Sequence, residues 1–160
     1  MLKGLSGGAI GGQLPGLVPG AGITAGSVGQ IFVVNTTAPV TLTVSGTAYN
    51  IASIPLTSGN WWLYGQVDFI LSTTTISSLQ AGVSATSATF GTQAAGGGFQ
   101  GDTFTVQPWV IAGGSQTISL PSGMPQPVYT SGATVYLVAS AAFSVGGVTA
   151  VGTLIAERFS

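Results

Sequence analysis

The sequence predicts an all-β sandwich, and three observations carry that prediction. From Gln30 onward, apolar residues recur at period two rather than at helical spacing. The 160 residues include 26 glycines and 8 prolines, placed so that they cut the chain into runs of strand length. A chain of this size forms one core, burying ~70% of the surface its unfolded form exposes, so a single β domain over residues 30–160 is expected.

Residues 1–29 stand apart as an extended, Gly/Pro-rich N-terminal arm. Leu2, Leu5, Ile10, Leu14, Leu17, Val18 and Ile23 fall at no regular period among the glycines and prolines. A solvated linker of this kind would be Gly/Ser with few leucines. The seven aliphatic side chains are therefore candidate partner-binding residues of an arm that becomes ordered on contact, a disordered tail being the alternative. The opening MLKGLSGGAIGGQLPGLVPGAG has the basic residue and mild apolar character of a signal peptide, but Gly and Pro interrupt any apolar core, so cleavage is not expected.

Three short strands follow: IFVVN, then VTLTV after Ala38-Pro39, then TAYNIASI up to Pro55. The loop LTSGN leads into a long strand, WWLYGQVDFIL. Its residues Trp61, Leu63, Val67, Phe69 and Leu71 share one face with Gly65 between them, and this face is expected in the core. Trp62 and Tyr64 lie on the opposite face near the strand's start, where exposed aromatics are costly unless a partner covers them, so both are candidate oligomer-interface residues.

Past Thr73–Thr75, ISSLQAGVSATSATF is expected to form a strand pair, and Gly96–Gly98 a flexible loop tip. DTFTVQPWVIA resumes as a strand that Pro108 restricts to an edge or a bulge. QTISL is a further short strand, and Ser122 to Pro127, with their flanks, are a proline-stiffened crossover.

The last stretch, TVYLVASAAFSVGGVTAVGTLIAERFS, alternates most cleanly. Val135, Leu137, Ala139, Ala141 and Phe143 share one face; Thr134, Tyr136, Val138, Ser140 and Ala142 share the other. Gly146-Gly147 supplies the positive φ values of a tight turn, so a central β-hairpin returning over Val148–Arg158 is expected. Both its faces are largely apolar. One would pack on this domain and the other on a second copy, which adds Tyr136 and Val138 to the interface candidates. The total is roughly nine strands, as in a jelly-roll-like antiparallel sandwich.

Charge excludes several classes of function. Lys3, Asp68, Asp102, Glu157 and Arg158 are the five charged residues, 3% of the chain against an ordinary ~25%. Nucleic acid is not an expected partner, because two cations at opposite ends of the chain cannot neutralise a phosphate backbone. No membrane role is expected: no run offers ~18 apolar residues, and an outer-membrane barrel would need a polar lumen face. The chain has no Cys and no His. Thiolate metal sites, disulfides and a Ser-His-Asp triad are therefore excluded, and three scattered carboxylates form no calcium loop, so no metal, cofactor or catalytic residue is expected. A glycosidase pair would require two of the carboxylates to converge; Asp68 is expected instead to meet a backbone group or Arg158, and Asp102 to cap a turn.

An uncharged surface of Ser, Thr, Gln, Asn and Gly is cheap to desolvate, which suits a protein packed against copies of itself or a larger particle. It also predicts a flat response to conditions. Between pH 5 and 9, and from low to high salt, the melting temperature should move by no more than a few degrees. A larger shift in a calorimetric series would reveal a charge cluster that the sequence hides.

LTSGNWWLYGQVDFI, paired with TVYLVASAAF and a GTLIAER ending, resembles small trimeric jelly-roll modules, similar to C1q and tumour-necrosis-factor folds, found in virion proteins of tailed bacteriophages. The two blocks cover about half of the chain. The resemblance implies a homotrimer that serves as a capsid decoration or cement protein on the virion surface, with the major capsid protein or another virion protein as partner. A head-fibre or tail-fibre tip is the alternative, though residues 1–29 show neither heptads nor a repeated β motif for a shaft. A secreted C1q-like or carbohydrate-binding domain is a second alternative, which would gather aromatics with Asp, Asn or Arg on one surface. Related closing strands often end in several basic residues, whereas here Arg158 stands beside Glu157.

Overall fold

In a computed structural model, which describes residues 29–73, 75–90, 104–106, 112–120, 133–144 and 146–159, the period-two pattern becomes two antiparallel sheets packed face to face. In chain order the strands are β1 (Ile31–Asn35), β2 (Val40–Leu42), β3 (Tyr49–Leu56), β4 (Trp61–Thr73), β5 (Ile76–Ser84), β6 (Phe104–Val106), β7 (Ala112–Leu120), β8 (Ala133–Phe143) and β9 (Val148–Arg158). The first sheet runs β1-β9-β4-β7 with β2 also on β9, and the second runs β3-β8-β5-β6.

β1 and β2 lie along one edge of β9, opposite its residues 153–157 and 148–150, so they act as a single strand interrupted at Thr36–Pro39. With these two joined, every connection except β5 to β6 crosses between the sheets. This is the jelly-roll arrangement expected from the sequence. The expected arm, residues 1–29, lies outside the described residues except for Gly29, as do the loop tip at Gly96–Gly98, Pro108 and the crossover from Ser122 to Pro127.

The expected closing hairpin is not formed. β8 lies between β3 and β5 in the second sheet, and β9 between β1/β2 and β4 in the first. β8 ends at Phe143 in the second sheet and β9 begins at Val148 in the first, so the chain arches from one sheet to the other, with Gly146 at φ 95°. Alternation reports which face of a strand is buried and not which strand lies beside it. Two strands facing each other across a core therefore read the same as two strands paired in one sheet. The turn after β4 is a second arch of this kind, and hydrogen bonds tie the two together. Ser144 N–H donates to Thr75 O at 3.1 Å, and the Ser72 hydroxyl donates to Gly147 O at 2.6 Å. The loop after β2 joins them, its Gly46 N–H reaching Ala141 O at 2.8 Å.

Other segments differ in extent from the sequence reading. ISSLQAGVSATSATF yields one strand, β5, because the chain past Ser84 is captured by Asn50. That side chain donates to the Ser87 hydroxyl at 2.7 Å and accepts from Ala88 N–H at 2.6 Å. QTISL extends back to Ala112. β3 runs through Pro55, which is tolerated because β3 is an edge strand.

The core joins Leu42, Trp61, Val67, Phe69, Val148 and Leu154 of the first sheet to Ile54, Leu79, Val135 and Leu137 of the second. Phe32 stacks on Trp61 with ring centroids 5.5 Å apart, and the indole N–H donates to Thr57 O at 3.1 Å. The interior is thus apolar side chains, where a membrane barrel would have its polar lumen. Leu137 inserts between Gly65 and Gly152 on the facing sheet. A Cβ on Gly152 would stand 2.7 Å from both a Leu137 methyl and the Gln66 carbonyl oxygen.

Where β1 gives way to β2, Thr36 repairs the ladder. Its hydroxyl accepts from Gly152 N–H at 3.1 Å and donates to Ile51 O of the second sheet at 3.0 Å. One side chain thus satisfies an orphaned strand donor and ties the two sheets along an edge. Thr36→Val keeps the shape and strands that donor, so a loss of about 1–3 kcal/mol is expected from urea denaturation. Wild-type stability in this variant would mean that water serves Gly152 equally well.

Candidate functional site

The outer face of the first sheet can be assembled from strand register. β1 presents Ile31, Val33 and Asn35; β9 presents Glu157, Ile155, Thr153, Val151 and Thr149; β4 presents Trp62, Tyr64, Gln66, Asp68 and Ile70; β7 presents Ser119, Thr117 and Ser115. Read across the sheet, Ile31–Glu157–Trp62 and Val33–Ile155–Tyr64 form the rows at one end, and Asn35–Thr153–Gln66–Ser119 opens the polar remainder. The face is therefore graded from apolar and aromatic to hydroxyl and amide. Ile31 and Val33 are 55% and 54% exposed, values unusual for β-branched residues in a strand.

Gly29 and Phe159 both lie at the apolar end of this face. Arg158 N–H donates to Gln30 O at 2.8 Å and Gly29 N–H to Arg158 O at 2.7 Å, which carries the β1–β9 ladder to Gly29. Phe159 packs on Trp62 with centroids 5.1 Å apart, and its N–H donates to Asn60 O at 3.0 Å. The Arg158 guanidinium lies against Gly59, 6.0 Å from the centre of the Trp61 ring. A β-carbon on Gly59 would meet it at 2.6 Å, so glycine makes the room.

Of the four interface candidates, Trp62 and Tyr64 stand together here, half-buried. Tyr136 and Val138 do not join them, because β8 belongs to the second sheet and they point from the opposite side of the sandwich. Val138 is 0% exposed and has no surface to offer a second copy. Around it, Gly82, Ser84 and Ser140 are also buried, and Asn50 holds residues 87–88 beside its own strand. Ile31, Val33 and Ile155 take their place. The expected arm residues Leu2, Leu5, Ile10, Leu14, Leu17, Val18 and Ile23 lie outside the described residues.

The two described carboxylates do not converge. Asp68 accepts from the Thr117 hydroxyl and, at 3.5 Å, from the Gln66 amide, rather than meeting Arg158, whose strand neighbour is Trp61 at the far end of β4. Asp68 and Glu157 sit on the same face but about six residues apart along the strand direction, or ~20 Å, well beyond the reach of a two-carboxylate hydrolase. Asp102 lies outside the described residues. Among the described residues no cluster of three carboxylates forms to hold a cation. Tyr49 is the described group with a perturbed titration: the Thr43 hydroxyl at 2.9 Å and Val44 N–H at 3.0 Å hold its phenol below the usual tyrosine range. A lowered folded-state pKa adds stability only in the alkaline range where the phenolate exists.

No protein-family model matches the chain, and no curated protein does. Solved structures resemble its fold, among them the following two. A chain from the structure of infectious bursal disease virus Gx strain superposes with a TM-score of 0.53 at 15% identity, covering 92% of this chain and 38% of that one. A chain of the infectious bursal disease virus VP2 subviral particle gives 0.47 at 13% identity, covering 82% and 37%. This chain therefore spans under two fifths of the length of either. At 15% identity the likeness to the first of these establishes a shared fold and nothing finer.

Proposed function

We propose that this protein is a structural virion component that works by adhesion: a homotrimer that decorates or cements the particle surface. The observation that carries this reading is the outer face of the first sheet, apolar at the end where Gly29 and Phe159 lie, on a chain with five charged residues in all. A freely dispersed monomer keeps charge on such a face; a protein that is permanently covered has no need of it. The fold it shares with a bursal disease virus chain supports the same class of role. Its partners are then further copies of itself and the major capsid protein or another virion protein, with residues 1–29 as the docking segment. No catalysis, cofactor or nucleic acid enters this reading.

Two measurements test it. Light scattering should give a mass three times the 15.8 kDa of one chain, and a stable monomer at micromolar concentration would overturn the trimer. Cryo-EM of the source particle should place the density on the capsid; density at a fibre tip would favour the receptor-binding alternative. One observation favours a carbohydrate-binding alternative: Trp62 and Tyr64 share a face with Asn35, Gln66 and Asp68. Binding of a neutral oligosaccharide that Trp62→Ala abolishes would move the assignment there.

A further inference from the structure

We propose that residues 85–88 form a strap across the outer face of the second sheet, latched by Asn50 and loaded by backbone strain at Ala88, which opens without unfolding the sandwich and uncovers Val138. The device stands apart from the adhesive reading and holds whatever partner the first sheet meets.

The path of the strap follows from strand order and length. β8 lies between β3 and β5, and the row Asn50–Val138–Gly82 runs across the three strands. The chain leaves β5 at Ser84, yet the Asn50 side chain on β3 donates to the Ser87 hydroxyl at 2.7 Å and accepts from Ala88 N–H at 2.6 Å. Two strand spacings measure ~10 Å, and three or four residues reach only ~10–14 Å. The segment has no length for a detour, so it passes directly over β8. Val138 fits beneath it. That side chain is fully buried although it stands outside the core cluster, because its strand neighbours Leu137 and Ala139 fill the inner face.

Three observations make the strap poised rather than fixed. Residues 85–89 are all exposed, so no buried apolar side chain anchors them, and such a segment opens far more easily than the core. Its polar contacts converge on few groups: besides the two at Asn50, the Ser84 hydroxyl accepts from Thr86 N–H at 3.0 Å and turns the chain at the end of β5. Ala88 has φ 48°, the one non-glycine residue in the left-handed region among the described residues. A β-carbon disfavours that region, so the shut strap stores strain that opening releases. Shut, the strap denies Val138 to any partner and leaves association to the first sheet. Open, it offers a flat, uncharged strip of Gly82, Val138 and Ser140.

The full chain carries no cysteine, so one engineered thiol reports exposure without background. Val138→Cys places it under the strap, and Val135→Cys, on the inner face of the same strand and equally buried, reports global unfolding. With an aromatic disulfide reagent that labels free thiols, position 138 should react at least about tenfold faster than position 135. Asn50→Ala removes both latching hydrogen bonds and should raise the ratio of the two rates by about tenfold. Ala88→Gly removes the strain and should lower that ratio severalfold. Taking the ratio cancels any change in global stability. Equal rates at the two positions, a ratio that Asn50→Ala leaves unchanged, or one that Ala88→Gly fails to lower overturns the proposal. Where a cysteine variant fails to fold, amide hydrogen exchange on the cysteine-free chain makes the same test. Ala88 N–H should be protected, exchange ahead of the β8 ladder and lose its protection in Asn50→Ala. An Ala88 amide that is unprotected from the start, or that exchanges only in step with β8, overturns the strap.

Discussion

Gly152→Val is expected to destabilise the fold by about 3 kcal/mol, lowering the melting temperature by ~6–12 °C for a chain of this size. Overpacking a core costs about 1–3 kcal/mol when flexible side chains can give way. Here they cannot all do so. A β-carbon on Gly152 would sit 2.7 Å from the Gln66 carbonyl oxygen, which belongs to the adjacent strand, as well as 2.7 Å from a Leu137 methyl and 3.0 Å from an Ile51 methyl. Moving the carbonyl disturbs the β4–β9 ladder, which spans all of β9.

Gly65→Val should cost less. Its β-carbon would meet two leucine methyls, of Leu120 at 2.7 Å and Leu137 at 2.9 Å, and these have rotamers to escape into. The contrast gives a coupling test. Leu137→Ala, which alone removes ~2–5 kcal/mol, should relieve Gly65→Ala in the double variant more than it relieves Gly152→Ala. Gly147→Ala, with nothing within 4 Å of the added carbon, is the control and should stay near wild type. A Gly152→Val protein that melted with the wild type would show that the sheets are further apart than described.

These glycines also mark what the sequence made legible. WWLYGQVDFIL declared its inner face, and Trp61, Leu63, Val67, Phe69 and Leu71 are all buried. A glycine on the inner face of a strand, as Gly65 and Gly152 are, signals close approach from the facing sheet. What approaches could not be read, because Leu137 comes from a strand more than seventy residues from one of them and is not paired with either.

The same limit explains the candidate surface. Trp62 and Tyr64 were recognisable as aromatics on an outward face. Ile31, Val33 and Ile155 were hidden, since a short IFVVN run reads equally well with either set inward, and only its register opposite β9 puts Ile31 and Val33 on the aromatic side. Tyr136 and Val138 read from the sequence as companions of Trp62 and Tyr64 because paired and facing strands share one alternation. Strand order is a long-range property, and it separates the two pairs onto opposite sides of the sandwich.

Deleting residues 2–26 is expected to leave a folded body that no longer decorates particles. Folding should survive because, among the described residues, the core cluster runs from Leu42 to Ala156, with Phe32 and Val34 packed against it, all beyond the deletion. Loss of binding follows from a near balance within one arm. Each aliphatic side chain contributes ~1.5–3 kcal/mol when buried, while fixing each residue of the backbone around it costs ~1–2 kcal/mol. A single arm therefore holds weakly. Three arms joined through one trimer make the second and third contacts at high effective concentration, which raises avidity by ~10²–10⁴ without any strong single contact. Removing all three at once forfeits that factor, so occupancy in a particle-sedimentation assay should fall to background at concentrations where the full chain saturates. Truncated protein that still decorates particles at full occupancy would show that the sheet face or the loops make the attachment, and the arm would lose its assigned role.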